Sequence, residues 1–220
     1  MAHPHETAEL PLSVAEERDP ELEALPEPRR PGRALTLATL TATAVASLAM
    51  AFALRSEAGY ALQQGAPVAL GNLAELAPGA AQENKWVQGE ALLGSSRAIR
   101  YGRPLEGDSY RLAPVAGNDN VWVQVRVPQG MEGPRFVPPT SFVGRLVPIH
   151  APGLRHSGLG AAIESAGAGT PPPGAWLLID GEAPRTTRWA LGLIALFIGF
   201  AGFSAYGLFR LLRRAEPEEA

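Results

Sequence analysis

The stretch Ala34–Leu54, ALTLATLTATAVASLAMAFAL, contains 21 residues and no charge. A second stretch of 21 residues, Trp189–Phe209, WALGLIALFIGFAGFSAYGLF, is also free of charged side chains. Because a helix rises about 1.5 Å per residue, either stretch is long enough to cross a hydrocarbon core of about 30 Å. The sequence therefore predicts two transmembrane helices, and this prediction argues against an ordinary soluble enzyme.

The segment that precedes the first stretch, residues 1–33, carries eight acids, four arginines and six prolines. It holds too few large apolar residues to offset the entropy of ordering, so we expect a disordered tail. The apolar core of a secretory signal is about 7–15 residues long and lies closer to the N-terminus. We therefore interpret residues 34–54 as an anchor that is not cleaved.

The arginines beside the two stretches predict the orientation of the chain. Three arginines precede the first stretch and one follows it, whereas two precede the second stretch and three follow it. Cytoplasmic flanks carry the excess of Lys and Arg. We expect both tails, residues 1–33 and 210–220, to be cytoplasmic, and residues 55–188 to lie in the periplasm of a bacterium. The predicted location is the bacterial inner membrane, with the lipid bilayer as one partner.

The central segment has the pattern of a β domain. Six short runs rich in β-branched and aromatic residues alternate with turns rich in Gly, Asn and Asp. These runs are Trp86–Leu92, Ala98–Tyr101, Ser109–Leu112, Val121–Val127, Phe142–Val147 and Ala175–Asp180. They predict a mainly-β extracytoplasmic domain between the two helices: a small antiparallel barrel, OB-like or related, with its core at about residues 85–183. The helical candidates in this segment are Ala66–Leu76 and Leu159–Ser165.

Several classes of chemistry are excluded or disfavoured. The absence of cysteine excludes disulfides, thiolate nucleophiles and CxxC redox sites. The sequence has no GxSxG, HExxH or Walker A motif. Residues 56–188 carry eleven acids and eleven bases, a balance that argues against nucleic acid as a partner. His150 and His156 are interpreted as solvated loop residues. We predict no catalytic residue, no metal site and no cofactor.

One pattern indicates a membrane-protein partner. Alanine recurs at every fourth position of the first apolar stretch, which gives a flat helix face that another backbone can approach closely. The alternative is that alanine is simply common in this chain. On the β domain, aromatic residues are expected near the rim, and strict alternation with Val121 and Val123 predicts a partly exposed Trp122. The candidate partner-contact residues are Ala34, Ala38, Ala42, Ala46, Tyr101, Tyr110 and Trp122.

Five segments of the chain resemble the surfeit locus 1 family of cytochrome c oxidase assembly factors. They are Val87–Gly89, Ala98–Arg103, Tyr110–Val115, Val121–Pro128 and Val143–Leu146. The order of span, β domain and span is also similar. This resemblance implies a non-enzymatic protein that assists the assembly of a respiratory complex. The chain departs from the family at Gln124–Val127, where the family has Asn-Arg-Gly-Trp, and it lacks the histidine that the family places for haem near the outer end of the second span.

A second function class stays open on the sequence alone. A β domain held at the membrane by two helices is also typical of binding or regulatory modules of the NfeD or GIDE-like kind. Such a module recognises a protein or a small ligand and does not assist the assembly of an oxidase.

The predicted orientation can be tested with reporter fusions. Alkaline phosphatase folds only outside the cytoplasm, so a fusion after Gly117 is expected to be active and a fusion at Ala220 inactive. Phosphatase activity in intact cells is the measurement. The reverse pattern would contradict the orientation.

Overall fold

The computed structural model describes residues 32–102, 107–131, 136–153, 156, 159–166, 171–172 and 174–213. The predicted tails therefore lie largely outside the described residues. Two long helices, α1 (Gly32–Ala53) and α4 (Trp189–Arg213), flank a seven-stranded sheet. The described residues also contain the short helices α2 (Arg55–Ala61) and α3 (Leu159–Ser165), and 3-10 turns at Ala80–Gln82 and Pro184–Thr187.

The two long helices are long and apolar enough to cross a membrane, with mean hydropathies of 1.7 and 1.9. They pack side by side in antiparallel orientation. At one end of the pair the Arg33 guanidinium donates a hydrogen bond to the Leu211 carbonyl, at 3.1 Å. Farther along, a Cβ placed on Gly207 would lie only 3.2 Å from Leu40. At the other end, both helices join the β domain.

The sheet contains the strands β1 (Val68–Asn72), β2 (Lys85–Glu90), β3 (Ile99–Gly102), β4 (Ser109–Val115), β5 (Asn118–Val127), β6 (Ser141–Pro148) and β7 (Trp176–Asp180). Their order across the sheet is β1-β2-β6-β7-β5-β4-β3. The pairs β1–β2 and β5–β7 are parallel and the other four pairs are antiparallel. The sheet is mixed and is not closed, which corrects the expectation of a closed antiparallel barrel.

The reason for this difference is the position of β7. A β5–β6 hairpin would continue an antiparallel meander, but β7 lies between these two strands and pairs with both. The chain reaches that position from β6 after passing through α3, so β7 runs parallel to β5. Turn residues specify hairpins between neighbouring strands, whereas the insertion of a distant strand leaves no comparable local signal.

All six predicted strands are present, with bounds shifted by a few residues, and the helix at Leu159–Ser165 is confirmed. The helix predicted at Ala66–Leu76 is wrong, because Val68–Asn72 forms the edge strand β1. Pro67 directly precedes this strand, and Gly71 has a φ of +68°, which interrupts the pairing register with β2. The sheet therefore begins well before residue 85, the expected start of the core.

The sheet has a core on each face. One face is built around Val87, Val123, Phe142, Leu146 and Leu178. The other face includes Trp122, and here the helix α3 contributes Leu159 and Ile163. The partly exposed Trp122 predicted from alternation is wrong: its exposed fraction is 0%. Alternation does place it opposite Val121 and Val123, but both faces of this strand are covered.

Gly144 shows how closely β6 and β7 approach each other. A Cβ at this position would lie 1.9 Å from the Ile179 carbonyl oxygen, and backbone atoms cannot yield as a flexible side chain can. The glycine of the Val143–Leu146 segment is therefore required by the packing of the central strands.

Gly144→Ala is expected to reduce the free energy of unfolding by about 3 kcal/mol or more, because the central strands would have to separate. Gly102→Ala is the matched control, since a Cβ there would meet no atom within 4 Å. Thermal unfolding followed by circular dichroism measures both. Equal midpoints for the two variants would contradict the packing argument.

Candidate functional site

The most unusual residue of the sheet is Arg145, in the middle of β6. It shares a sheet face with Val147, and its exposed fraction is 2%. A guanidinium stays charged at all ordinary pH values, and burying it without partners would be very costly. The surrounding residues must therefore supply hydrogen bonds and negative charge.

Four described residues interact with the Arg145 guanidinium. Its Nε donates to Asn84 Oδ1 at 2.7 Å, and its Nη2 donates to Ser56 Oγ at 3.3 Å. Its Nη1 lies 3.6 Å from Glu182 Oε1, which provides the counter-charge. The guanidinium carbon lies 4.8 Å from the centre of the Tyr60 ring, within the range of a cation–π contact. We call these five residues the Arg145 cluster.

The members of the Arg145 cluster come from widely separated parts of the chain. Ser56 and Tyr60 belong to α2, which follows the first long helix directly. Glu182 lies in the short connection from β7 to the second long helix. The Tyr60 hydroxyl donates to the Glu182 carbonyl, and burial raises the pKa of Tyr60 above its ordinary value. The Arg145 cluster therefore joins both long helices to the centre of the sheet.

Asn84 strengthens the same junction. Its φ of +57° is unusual for a residue other than glycine, and Asn tolerates this region better than most residues. Its Nδ2 donates to the Ser56 carbonyl at 2.8 Å, and its backbone N–H donates to the Leu146 carbonyl at 2.8 Å. Gln63 adds a third link by donating to the Asn84 carbonyl at 2.6 Å.

Two further ionisable groups are buried beside the cluster. The exposed fractions of Glu57 and His156 are 3% and 4%, and His156 Nε2 lies 3.4 Å from Glu182 Oε2. The prediction that His156 is a solvated loop residue is therefore wrong, whereas His150 is exposed as expected. Gly153 has a φ of +92°, and a Cβ there would meet Glu57 Oε1 at 2.6 Å.

A polar cavity of about 390 Å³ lies next to the Arg145 cluster. It is lined by Tyr110, Gln124, Arg126, His156, Ile179, Asp180, Gly181, Glu182 and Thr186. Its volume falls within the range of about 300–1,000 Å³ that is typical of small-molecule sites. The cavity combines neutral polar groups, carboxyls and a cation, so it is suited to a small polar ligand.

The aromatic side of the cavity is fixed by hydrogen bonding and stacking. Tyr101 donates from its hydroxyl to Gln124 Oε1 at 2.6 Å, and its ring stacks on that of Tyr110 with centroids 5.7 Å apart. Only 1% of Gln124 is exposed, so its carboxamide is held in one position. Arg126 forms an ion pair with Asp108 at the mouth of the cavity.

Asp180 is the carboxyl at the end of β7. Its Oδ1 accepts a hydrogen bond from the Val143 backbone N–H at 3.1 Å. Burial raises the pKa of Asp180, and hydrogen bonds from the backbone of Val143 and Gly181 offset this effect only in part. The neutral form is therefore favoured more than it would be in water.

The predicted contact residues are not brought together. Ala34, Ala38, Ala42 and Ala46 are all exposed on α1, on a face that does not contact α4. Tyr101 and Tyr110 meet beside the cavity, but Trp122 is buried in the core and is excluded as a surface contact. Sequence reasoning missed Asn84, Arg145, Asp180 and Glu182. The available signal was a lone arginine within the apolar run Phe142–Val147.

Within the described parts of the chain, no group of three His, Asp or Glu side chains is arranged to hold a metal ion. Comparison with models of known protein families, with characterised proteins and with solved structures finds no match.

Arg145→Met is expected to lower the free energy of unfolding by about 3–5 kcal/mol, because it removes the guanidinium charge beside the buried Glu182 carboxylate. The double variant Arg145→Met/Glu182→Gln should lose less than the sum of the single variants. Asp119→Asn is the control, because its carboxylate is 64% exposed and its ion pair with Arg97 should contribute no more than about 1 kcal/mol. Denaturant unfolding monitored by tryptophan fluorescence tests this; additive losses would contradict the coupling.

Proposed function

We propose that this chain is a non-enzymatic, two-pass protein of the bacterial inner membrane that assists the assembly of a respiratory complex of the cytochrome oxidase type. In this proposal both termini are cytoplasmic, and the β domain stands on the periplasmic side. The partner is another membrane protein, and nucleic acid is not involved.

The observation that carries this proposal is the Arg145 cluster. A module that only needs to capture a ligand works on a flexible tether, since its orientation to the membrane does not matter. Here Ser56 and Tyr60, in the short helix that follows one long helix, contact the same arginine as Glu182, in the connection that leads to the other. A β domain held at a fixed height and angle on its helices is suited to positioning a partner subunit.

The outer surface of the helix pair gives further support. The four alanines of the stripe on α1, Ala34, Ala38, Ala42 and Ala46, face away from α4 and are exposed. Small side chains allow two helices to approach closely in a membrane, where van der Waals packing drives association. In this proposal the alanine stripe receives a helix of the assembling complex. The family resemblance of the strand segments points to the same class of function.

A second candidate function is supported by the cavity beside Asp180. A membrane-anchored module that recognises a small ligand would need a preformed polar site, and the cavity of about 390 Å³ has the required size and lining. This function does not require contact between the alanine stripe and a partner, so the two candidates can be separated by experiment.

Deletion of the gene tests the first candidate. Oxidase subunits should still be synthesised, while the amount of assembled, haem-loaded oxidase in the membrane falls. Reduced-minus-oxidised haem spectra measure the assembled enzyme, and immunoblots measure the subunits. Wild-type spectra and oxidase activity in the deletion strain would contradict the assembly role and favour the ligand-binding module.

Complementation with helix variants tests the contact surface. Ala38→Leu/Ala42→Leu should restore less oxidase than the wild-type gene, because the larger side chains block close helix approach. Thr36→Leu/Thr43→Leu is the matched control, since both threonines are exposed on another side of α1 and bond only to carbonyls of their own helix. His150→Ala should also complement fully. Equal complementation by the two leucine pairs would contradict a role for the alanine stripe.

A further inference from the structure

Asp180 is one of the carboxyl groups among the residues that line the cavity. Among the residues that the structure describes, no ion pair joins Asp180 to an arginine, lysine or histidine. The basic side chains in and beside the cavity have other carboxylate partners: Arg126 pairs with Asp108, and both Arg145 and His156 lie close to Glu182. The raised pKa of Asp180 reflects the same situation, because burial is compensated by backbone hydrogen bonds alone.

A carboxyl that is withdrawn from water and left without a cation destabilises the folded protein when it is ionised. Such groups are found preferentially at binding and catalytic sites, where a ligand supplies the missing charge. Asp180 is half-buried and adjoins a cavity large enough for a small ligand.

We propose that the cavity binds a primary ammonium group, with Asp180 as its counter-ion. An ammonium has three N–H donors, and other residues that line the cavity offer further oxygen acceptors. Gln124 Oε1 already accepts from Tyr101 and has a second lone pair. Thr186 donates its hydroxyl proton to the Ala183 carbonyl, so its oxygen can accept. This inference goes beyond the assembly role and does not depend on it.

The position of the cavity gives the ammonium two sources. Gly181, Glu182 and Thr186, which line one side, belong to the connection that leads into α4 at Trp189. In a membrane-spanning chain this connection lies at the bilayer surface, where the headgroup of phosphatidylethanolamine presents a primary ammonium. A soluble amine could also enter from the aqueous side. Both sources share the same chemistry at Asp180.

The test uses the full chain in lipid nanodiscs. In one arm the nanodiscs contain phosphatidylcholine alone, and ethanolamine is titrated in by calorimetry. In the second arm phosphatidylethanolamine replaces part of the lipid, and the lipid retained on the purified protein is identified by native mass spectrometry. Binding in the first arm indicates a soluble amine, and retention of phosphatidylethanolamine over phosphatidylcholine indicates a headgroup. Binding in neither arm would overturn the proposal.

Asp180→Asn keeps the oxygen that accepts from Val143 but removes the negative charge. It should weaken ammonium binding by about tenfold or more. Asp119→Asn is the matched control, because the Asp119 carboxylate is 64% exposed and lies outside the cavity. The affinity of this variant for ammonium should equal that of the wild type. Unchanged affinity in Asp180→Asn would overturn the assignment of the counter-ion.

Choline provides a test that needs no substitution. It carries the same charge as ethanolamine but has no N–H donor, so it should bind the wild-type protein more weakly than ethanolamine. Equal binding of the two would contradict a site built around ammonium hydrogen bonds.

A stability measurement checks that Asp180→Asn folds. It also tests whether the loss of ammonium binding comes from removal of an uncompensated negative charge. Because the folded pKa of Asp180 is raised, the wild type loses stability as the pH rises through that pKa. The ligand-free variant should therefore unfold at a higher temperature than the wild type at neutral pH, and the two should converge below the ordinary pKa of Asp. A variant less stable than the wild type at neutral pH would contradict an uncompensated charge at this position.

These results are separate from those of the assembly role. The helix variants change Ala38 and Ala42, which are remote from the cavity, and their readout is oxidase assembly in cells. Loss of ammonium binding with normal assembly would dissociate the two functions, whereas failure of the ammonium proposal would leave the helix-face experiment unaffected.

Discussion

A buried guanidinium lies at the centre of this structure. Arg145 is 2% exposed in a strand whose other side chains are mainly apolar. Its burial is possible because three segments distant in sequence converge on it, and each contributes a different kind of group: hydroxyl, amide and carboxylate. Removing any one of these segments would leave a polar group unsatisfied, so the helices and the sheet form one unit.

The burial of Arg145 also explains how polar and apolar side chains are distributed over one face of the sheet. The half of that face near α3 is sealed by Leu159, Ile163 and Trp122. The half near the connection to α4 holds Arg145 and Gln124, and it stays polar and adjoins the cavity. The same face thus contributes to stability at one end and offers a binding site at the other.

Much of the architecture could be predicted from local patterns. The two uncharged stretches predict both long helices, and runs of β-branched and aromatic residues predict six of the seven strands. Strand β1 was missed because Val68–Asn72 is short, alanine- and glycine-containing and mostly exposed, so it has neither clear alternation nor a strong β composition. Sheet order was missed because it depends on pairings between strands far apart in the sequence.

The site was harder to predict than the fold. Ser56, Asn84, Arg145 and Glu182 are unremarkable residues at unremarkable spacings, and only tertiary structure brings them together. The histidine at position 156 was misjudged for the same reason, since its neighbours Pro and Gly indicate a loop but not whether that loop is covered. Alternation placed Trp122 correctly on its face, but it gave no information on whether α3 would cover that face.

The central place of β7 has a consequence for the timing of folding. Ribosomes deliver the chain from its N-terminus, and β7 (Trp176–Asp180) is the last strand to emerge although it lies between β5 and β6. Until it arrives, these two strands have an unfilled gap between them, and the Leu178 side of the core is missing. Only a few residues separate β7 from the second long helix. Completion of the sheet and emergence of that helix are therefore nearly simultaneous events in biosynthesis.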